Sequence, residues 1–494
     1  MTKPLVRHPV VLTPLSPIHI GSGEDLDWTR AVPDPSRPEL MLFDPLAVRL
    51  PANEAEKLAK LSTLDGAEAI IRLQQLLSAN VAHLGRAESG RIGLTDQEHK
   101  RLKASFGRNT QAAQRGAGQV ANQIAIARHA LDPAGRPYVP GSSLKGALRT
   151  AEVARRDAVE NRGSHHAPRE DKSDPSDRLL GKFAASPFAR LFVSDLLPSG
   201  DWRGLIAEVR NERRLPKEHM GPKGVPVRVE LIRPFLPGAL AGDIREHLAR
   251  GAPDAGRQFL PLTDLLKTTH GFHAQLFAFF EGELQKANRN LLPGWLQGVR
   301  GLLAAEEVAT AIGEGRAALV RLGKFGSAES KTVAWRAVRI PQAANKGGQE
   351  WVLHPYTLWL ADLGAHRLPL GWALLEVAEE ASAPVREFCA RFREANAEDE
   401  EQEDRSPPVA PPPPPSDRIV TDRSGMNRSR LGSLEDQHDG GQTVFEMLKN
   451  LANQAKAWPD ADRKLFAQLY HEKLRHRLRP DQQRLIDPRL PRPA

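Results

Sequence analysis

Apolar positions in this chain recur with two different periods, and the changes of period mark out its elements. After residue 140, Leu144, Ala147, Leu148, Ala151, Ala154 and Ala158 fall on one face of a helix over about 141–160. Tyr138-Val-Pro-Gly141 before it reads as an extended run and a turn, with Ser142 or Ser143 as the N-cap. Helical spacing also marks 54–84, 119–130, 262–288 and 303–318. Apolar and β-branched runs predict strands within 5–20, 40–43, 191–195, 225–232, 319–322 and 368–376, with one more starting near Thr332. Pro9, Pro14 and Pro17 place the first of these at a sheet edge. Residues 235–248 read as strand, turn and helix.

Between these elements the composition shifts. Residues 86–118 are polar and carry Arg86, Arg91, Lys100, Arg101, Lys103, Arg108 and Arg115, which fits either a mobile basic loop or an ordinary solvated connection. Residues 161–177 have the composition of disorder, and His165-His166 within them lack the spaced partners that a metal site needs. The run 394–404 holds seven acids and no base, and 406–416 is dominated by proline, so an extended linker is expected there. Beyond it, Val444, Phe445, Leu448, Leu451 and Ala455, then Leu465, Phe466, Leu469, Tyr470, Leu474 and Leu478, predict two amphipathic helices.

Length and charge bound what such a chain does. At 494 residues it has room for several domains. No apolar run reaches membrane-spanning length, and the N-terminus lacks a signal-peptide core. Cys389, the only cysteine, excludes an internal disulfide and a multi-cysteine zinc site, which suits a reducing cytoplasm. The net charge is +8 despite the acidic run, so the body before residue 394 is more basic still and invites a polyanion.

Three stretches offer anion chemistry. Gly21-Ser-Gly-Glu24 follows His19 and allows close backbone approach to a ligand. At the 138–150 turn, Gly141, Ser142 and Ser143 offer backbone N–H groups, while Lys145 and Arg149 share one side of the helix. Capping and a solvated face explain the same residues. Lys145 is followed by Gly146, so this is no Walker A loop. Arg321 leads into Gly323-Lys-Phe-Gly-Ser327, where cations and one aromatic suit an RNA backbone and base.

Leu15-Ser-Pro-Ile-His-Ile-Gly-Ser-Gly-Glu24, Tyr138-Val-Pro-Gly-Ser-Ser-Leu-Lys-Gly-Ala-Leu-Arg149 and Arg321-Leu-Gly-Lys-Phe-Gly together resemble the RAMP superfamily of CRISPR-associated proteins. Within it the resemblance is greatest to the type III-A (Csm) subunit at the 3′ portion of the guide RNA. Leu191-Phe-Val-Ser-Asp195 and Leu368-Pro-Leu-Gly-Trp372 agree with it. The resemblance implies an α+β fold of two ferredoxin-like (RRM-like) modules, with CRISPR RNA and neighbouring RAMP subunits of a type III effector complex as partners. It carries RNA contact onto Gly21, Ser22, Gly23, Gly141, Ser142, Ser143, Lys145, Arg149, Arg321, Lys324 and Phe325. The residues themselves offer no clustered ligands or acid–base groups, so no cofactor, no metal and no catalysis are expected, only guide binding and help with 3′ maturation. The expected division is a module at 1–210 with a helical insertion at about 54–130, a module at 211–393, a linker at 394–424 and a helical tail at 425–494.

Two other readings stand beside this one. An RNA endonuclease of the same superfamily would need clustered acid–base or metal-binding groups, for which His19, Asp25, Asp27 and Asp195 are the candidates. An assembly adaptor would act through the two C-terminal helices.

Overall fold

Leu5–Pro14 is the longest strand of the first sheet and lies near its middle. Its residues pair with Leu240–His247 along Leu5 to Leu12, and with Trp372–Glu376 only from Val11 onward. The edge character signalled by the prolines is thus confined to the half containing Pro9, which is paired on one side only. Ala317–Arg321 extends the sheet beyond Trp372–Glu376, and Leu191–Val193 closes the far side against Leu240–His247. Residues 235–248, expected to turn into a helix, instead end in this eight-residue strand. The alternation of Leu240, Gly242 and Ile244 toward the core is a strand period that the helical reading overrode.

This computed structural model describes residues 5–61, 66–106, 125–160, 175–182, 186–214, 226–247, 260–285, 289–332, 338–341, 349–352, 357–405 and isolated positions between 448 and 487. The second sheet runs Gly21–Asp25, Ile126–His129, Val227–Leu231, Leu205–Arg213, Glu88–Leu94, Glu39–Phe43, Ala31–Pro33, and Thr357–Asp362 also pairs with Leu205–Arg213. Ile126–His129 is a strand where a short helix was expected, and the loop expected over 86–118 contains the strand Glu88–Leu94 and the helix Asp96–Ser105. Arg91 there is bound by Asp34, Glu39 and Glu88, so it is structural rather than mobile.

Helix Gly141–Glu160 buries Leu144, Ala147, Leu148, Ala151 and Ala154 against one face of the first sheet, through Val10, Leu12, Leu240 and Ile244. Ala158 is exposed, and the buried Glu152 is neutralised by Arg155 and Arg156. A second core gathers Phe277 and Phe280 of helix Leu262–Gln285, Trp295, Trp372 and the inner residues Val209, Val229 and Leu360 of the second sheet. The expected helix 303–318 is two helices, Trp295–Ala304 and Glu306–Glu314, with Ala317–Arg321 already a strand.

The architecture is α+β, two sheets each backed by helices, as two RRM-like modules require. Each sheet draws strands from both sides of residue 210, and that position itself lies inside Leu205–Arg213. The acidic run does not start a linker, because Ala383–Arg405 is one helix through it. Met1–Arg405 and Ser406–Ala494 form two compact units. In the second, Leu448, Phe466 and Tyr470 are buried and the Tyr470 hydroxyl donates to Asp487 over 2.7 Å. No helix among the described residues is long and apolar enough to cross a membrane. Residues 161–174, including His165-His166, lie outside the described residues.

Candidate nucleic-acid interface

The three anion-type segments are linked through hydrogen bonds at His19 and Ile20. The Ala130 N–H donates to the Ile20 carbonyl (2.7 Å) and the Ala130 carbonyl accepts from Tyr138 N–H (3.1 Å), which ties the first glycine stretch to the turn before helix Gly141–Glu160. On the other side the Lys324 N–H donates to the His19 carbonyl over 2.9 Å. Gly323 makes this approach possible: its φ is +92° and a Cβ there would lie 2.4 Å from the His19 oxygen.

The His19 ring itself is core. Its Nδ1–H donates to the Glu230 carbonyl at 2.7 Å, and His129 stands edge-on at 5.8 Å. Burial lowers the proton affinity of both, His129 to about 3, so both are neutral imidazoles. Glu230 below them is buried, ion-paired to Arg128 over 2.6 Å and pushed up by its burial. Phe325 packs 5.4 Å from His19 and 4.9 Å from Trp359 and is buried, so the aromatic expected to stack a base stacks within the protein.

Gly21–Asp25 is an exposed strand paired irregularly with Ile126–His129, and the Ser22 hydroxyl donates to the Arg128 carbonyl at 3.2 Å. Gly141 is buried, Ser142 exposed and Ser143 half-buried. The helix start is closed by a distant carboxylate and by its own turn: the Gly141 N–H donates to Asp195 Oδ1 at 2.8 Å, and the Ser143 N–H to the Pro140 carbonyl at 2.9 Å. Neither serine was needed as the cap.

The four expected cations differ sharply. Lys145 is half-buried, its Nζ donates to the Leu191 carbonyl at 2.7 Å, and burial lowers its pKa. Arg149 is half-exposed and 3.9 Å from Asp177. Arg321 is buried, with its guanidinium carbon 4.0 Å from the Phe280 ring centre and 4.9 Å from that of Trp372. Burial pushes it down to about 9, which leaves it charged at neutral pH. Lys324 is exposed, and Lys331 reaches its carbonyl at 3.0 Å. Besides burial, the Arg321 and Lys324 charges lower Lys331, and the Lys324 charge lowers His19, so positive potential concentrates at this loop.

Lys331 folds back onto the loop that precedes it. One feature here escaped the sequence reading. It is Ser327, at φ 67° and ψ 165°, a region that disfavours side chains, with its Oγ buried and without a partner among the described residues. No local signal marks a strained serine.

A family model for the RAMP superfamily matches residues 11–287. The chain belongs to the RAMP superfamily. The matched span of this RAMP protein holds the first two converging segments, while the Arg321–Ser327 segment lies beyond it. It is similar to a chain in a structure described as a Csm–crRNA–target RNA ternary complex of a type III-A CRISPR-Cas system, with 19% identity and a TM-score of 0.45 over 75% of this chain and 100% of that one. It is also similar to T. onnurineus Csm5, with 18% identity and a TM-score of 0.39 over 74% of this chain and 99% of that one. No curated protein matches.

In this RAMP protein the residues considered for cleavage are held in separate roles. His19 is buried, Asp27 accepts the Thr29 N–H (2.9 Å) and hydroxyl (2.7 Å), and Asp195 caps the helix. Asp25 ends an exposed strand. Among the described residues no three His, Cys, Asp or Glu side chains are grouped to hold a metal ion.

Proposed function

We propose that this chain is a non-catalytic, CRISPR RNA-binding subunit of a type III effector ribonucleoprotein, of the type III-A (Csm) kind, acting in the cytoplasm beside other RAMP subunits. It holds guide phosphates without reading their sequence. The observation that supports this reading is the hydrogen bond between the Lys324 N–H and the His19 carbonyl, which joins the approach to the exposed Gly21–Asp25 strand to the loop that presents the exposed Lys324 side chain. Phosphate contact is assigned to Gly21, Ser22, Gly23, Ser142, Ser143, Arg149 and Lys324, which present exposed or half-exposed groups. Gly141, Lys145, Arg321 and Phe325 are assigned to positioning, because their polar or aromatic groups are engaged within the fold.

The reading is tested by purifying the full chain from cells that also express a CRISPR array and its neighbouring subunits, then sequencing the bound RNA. Small RNAs sharing one register are expected. Absence of RNA, or RNA of random register, overturns it.

A further inference from the structure

The first sheet has a bare end. Its face turned away from helix Gly141–Glu160 is covered where Val11, Leu319 and Leu374 lie, each at most 2% exposed. Along the same face toward Leu191–Val193 the cover stops. There Arg7 sits opposite Arg245, and Arg245 opposite Phe192, in one row across three adjacent strands. Opposed residues of this kind hold their Cβ atoms about 5 Å apart. Phe192 is 47% exposed and Arg245 is exposed.

Only one of the two arginines in this row is ion-paired among the described residues. Arg7 is tied to Asp243 at 2.6 Å and also feels the Glu379 carboxylate, whereas the Arg245 side chain makes no hydrogen bond or ion pair among the described residues, although a second arginine lies directly opposite. Like charges facing each other across a ladder destabilise it, and an anion laid over them removes that cost. An exposed phenylalanine beside an unpaired arginine supplies the two things single-stranded RNA needs, a flat apolar surface and a cation one phosphate away. The row also adjoins the proposed interface: Leu191 is held by Lys145, and the Val193 carbonyl and Asp195 carboxylate bracket Gly141.

We infer that the Arg7–Arg245–Phe192 row is a second RNA contact, in which Phe192 stacks one unpaired base and Arg245 takes the adjoining phosphate. This rests on the RNA-binding reading above. The test measures binding of the full-length chain to an unstructured, fluorescently labelled single-stranded RNA. Phe192→Ala and Phe192→Leu are each expected to weaken binding about tenfold, with Phe192→Tyr close to the parent. Arg245→Ala is expected to reduce the log–log salt slope by about 0.7. Unchanged melting temperatures, expected for such exposed positions, show that the fold is intact. Parent-like affinity in both Phe192→Ala and Phe192→Leu overturns the inference and leaves the main interface standing. Parent-like affinity in Phe192→Leu alone identifies an apolar, protein-type contact and equally overturns it. No RNA binding by the parent chain removes the RNA-binding reading itself.

Discussion

The Gly141 N–H donates to the Asp195 carboxylate over 2.8 Å, although 54 residues separate them. A Cβ at position 141 would lie 2.3 Å from the Val193 carbonyl and 2.5 Å from that of Ser194, so the strand end is pressed against the helix start. Loss of the carboxylate in Asp195→Ala is expected to cost about 1 kcal/mol, as for other helix caps. Gly141→Ala should cost more, about 3 kcal/mol, because the obstructing atoms are backbone. Urea denaturation of both variants checks the order, and an Asp195→Ala protein as stable as the parent would show that the cap contributes nothing.

Arg321 behaves as a core cation. Its Nε donates to the Leu370 carbonyl at 3.1 Å while both terminal nitrogens are buried without partners among the described residues. Arg321 forms no ion pair among the described residues, and the nearby Glu329 is paired with Arg214, so an apolar residue of similar size leaves no carboxylate without its partner. Arg321→Met is therefore expected to melt within a few degrees of the parent and to bind RNA equally well. Arg321→Ala should lose about 3 kcal/mol, because it also leaves a cavity beside Phe280 and Trp372. Weakened RNA binding by a fully folded Arg321→Met protein would return Arg321 to the interface.

These cases show what was legible in the sequence. The Leu144–Ala154 stripe gave the helix and its buried face, since amphipathic spacing is a local property. Glycine at 141 and 323 was visible, but its reason was not, because Val193 and His19 approach from distant parts of the chain. Phe325 looked like a stacking platform from its loop and is instead enclosed by His19 and Trp359. Lys145 looked free, and only the pairing of Leu191–Val193 in the sheet brings a carbonyl to its Nζ. The strand Leu205–Arg213 hid the modular division, since it belongs to neither half of the chain alone.

Buried histidines make the fold acid-sensitive. Burial lowers His19, holds His129 at about 3 and holds His273 at about 4. The unfolded chain takes up these protons near pH 6.5, while the folded chain does so only at lower pH, so stability is full above about 6.5 and falls as pH drops. His129 and His273 each contribute a slope of about 1.4 kcal/mol per pH unit between about pH 6 and their folded values. His273→Leu is expected to reduce the slope by that amount, measured by urea titration between about pH 6 and 4.5. A slope unchanged by the substitution would mean that His273 titrates alike in both states.

No RNA cleavage is expected from the purified chain with Mg²⁺ or Mn²⁺. His19 and Asp195 are engaged in packing and capping, and Asp27 in a local turn. Gel analysis of labelled single-stranded RNA, free or paired to a guide, checks this. Cleavage that disappears in Asp25→Ala would make that exposed residue catalytic and contradict the account.

The most direct test of the convergent interface is the salt dependence of RNA affinity in the Arg149→Ala, Lys324→Ala double variant. Both side chains reach solvent, so the fold should be unaffected. Each phosphate contact on a single strand contributes about 0.7 to the log–log slope, so the double variant is expected to be shallower by about 1.4. Affinity should fall most at low salt. A double variant with the parent's affinity and slope throughout the salt series would contradict phosphate binding by the Lys324 loop and by helix Gly141–Glu160.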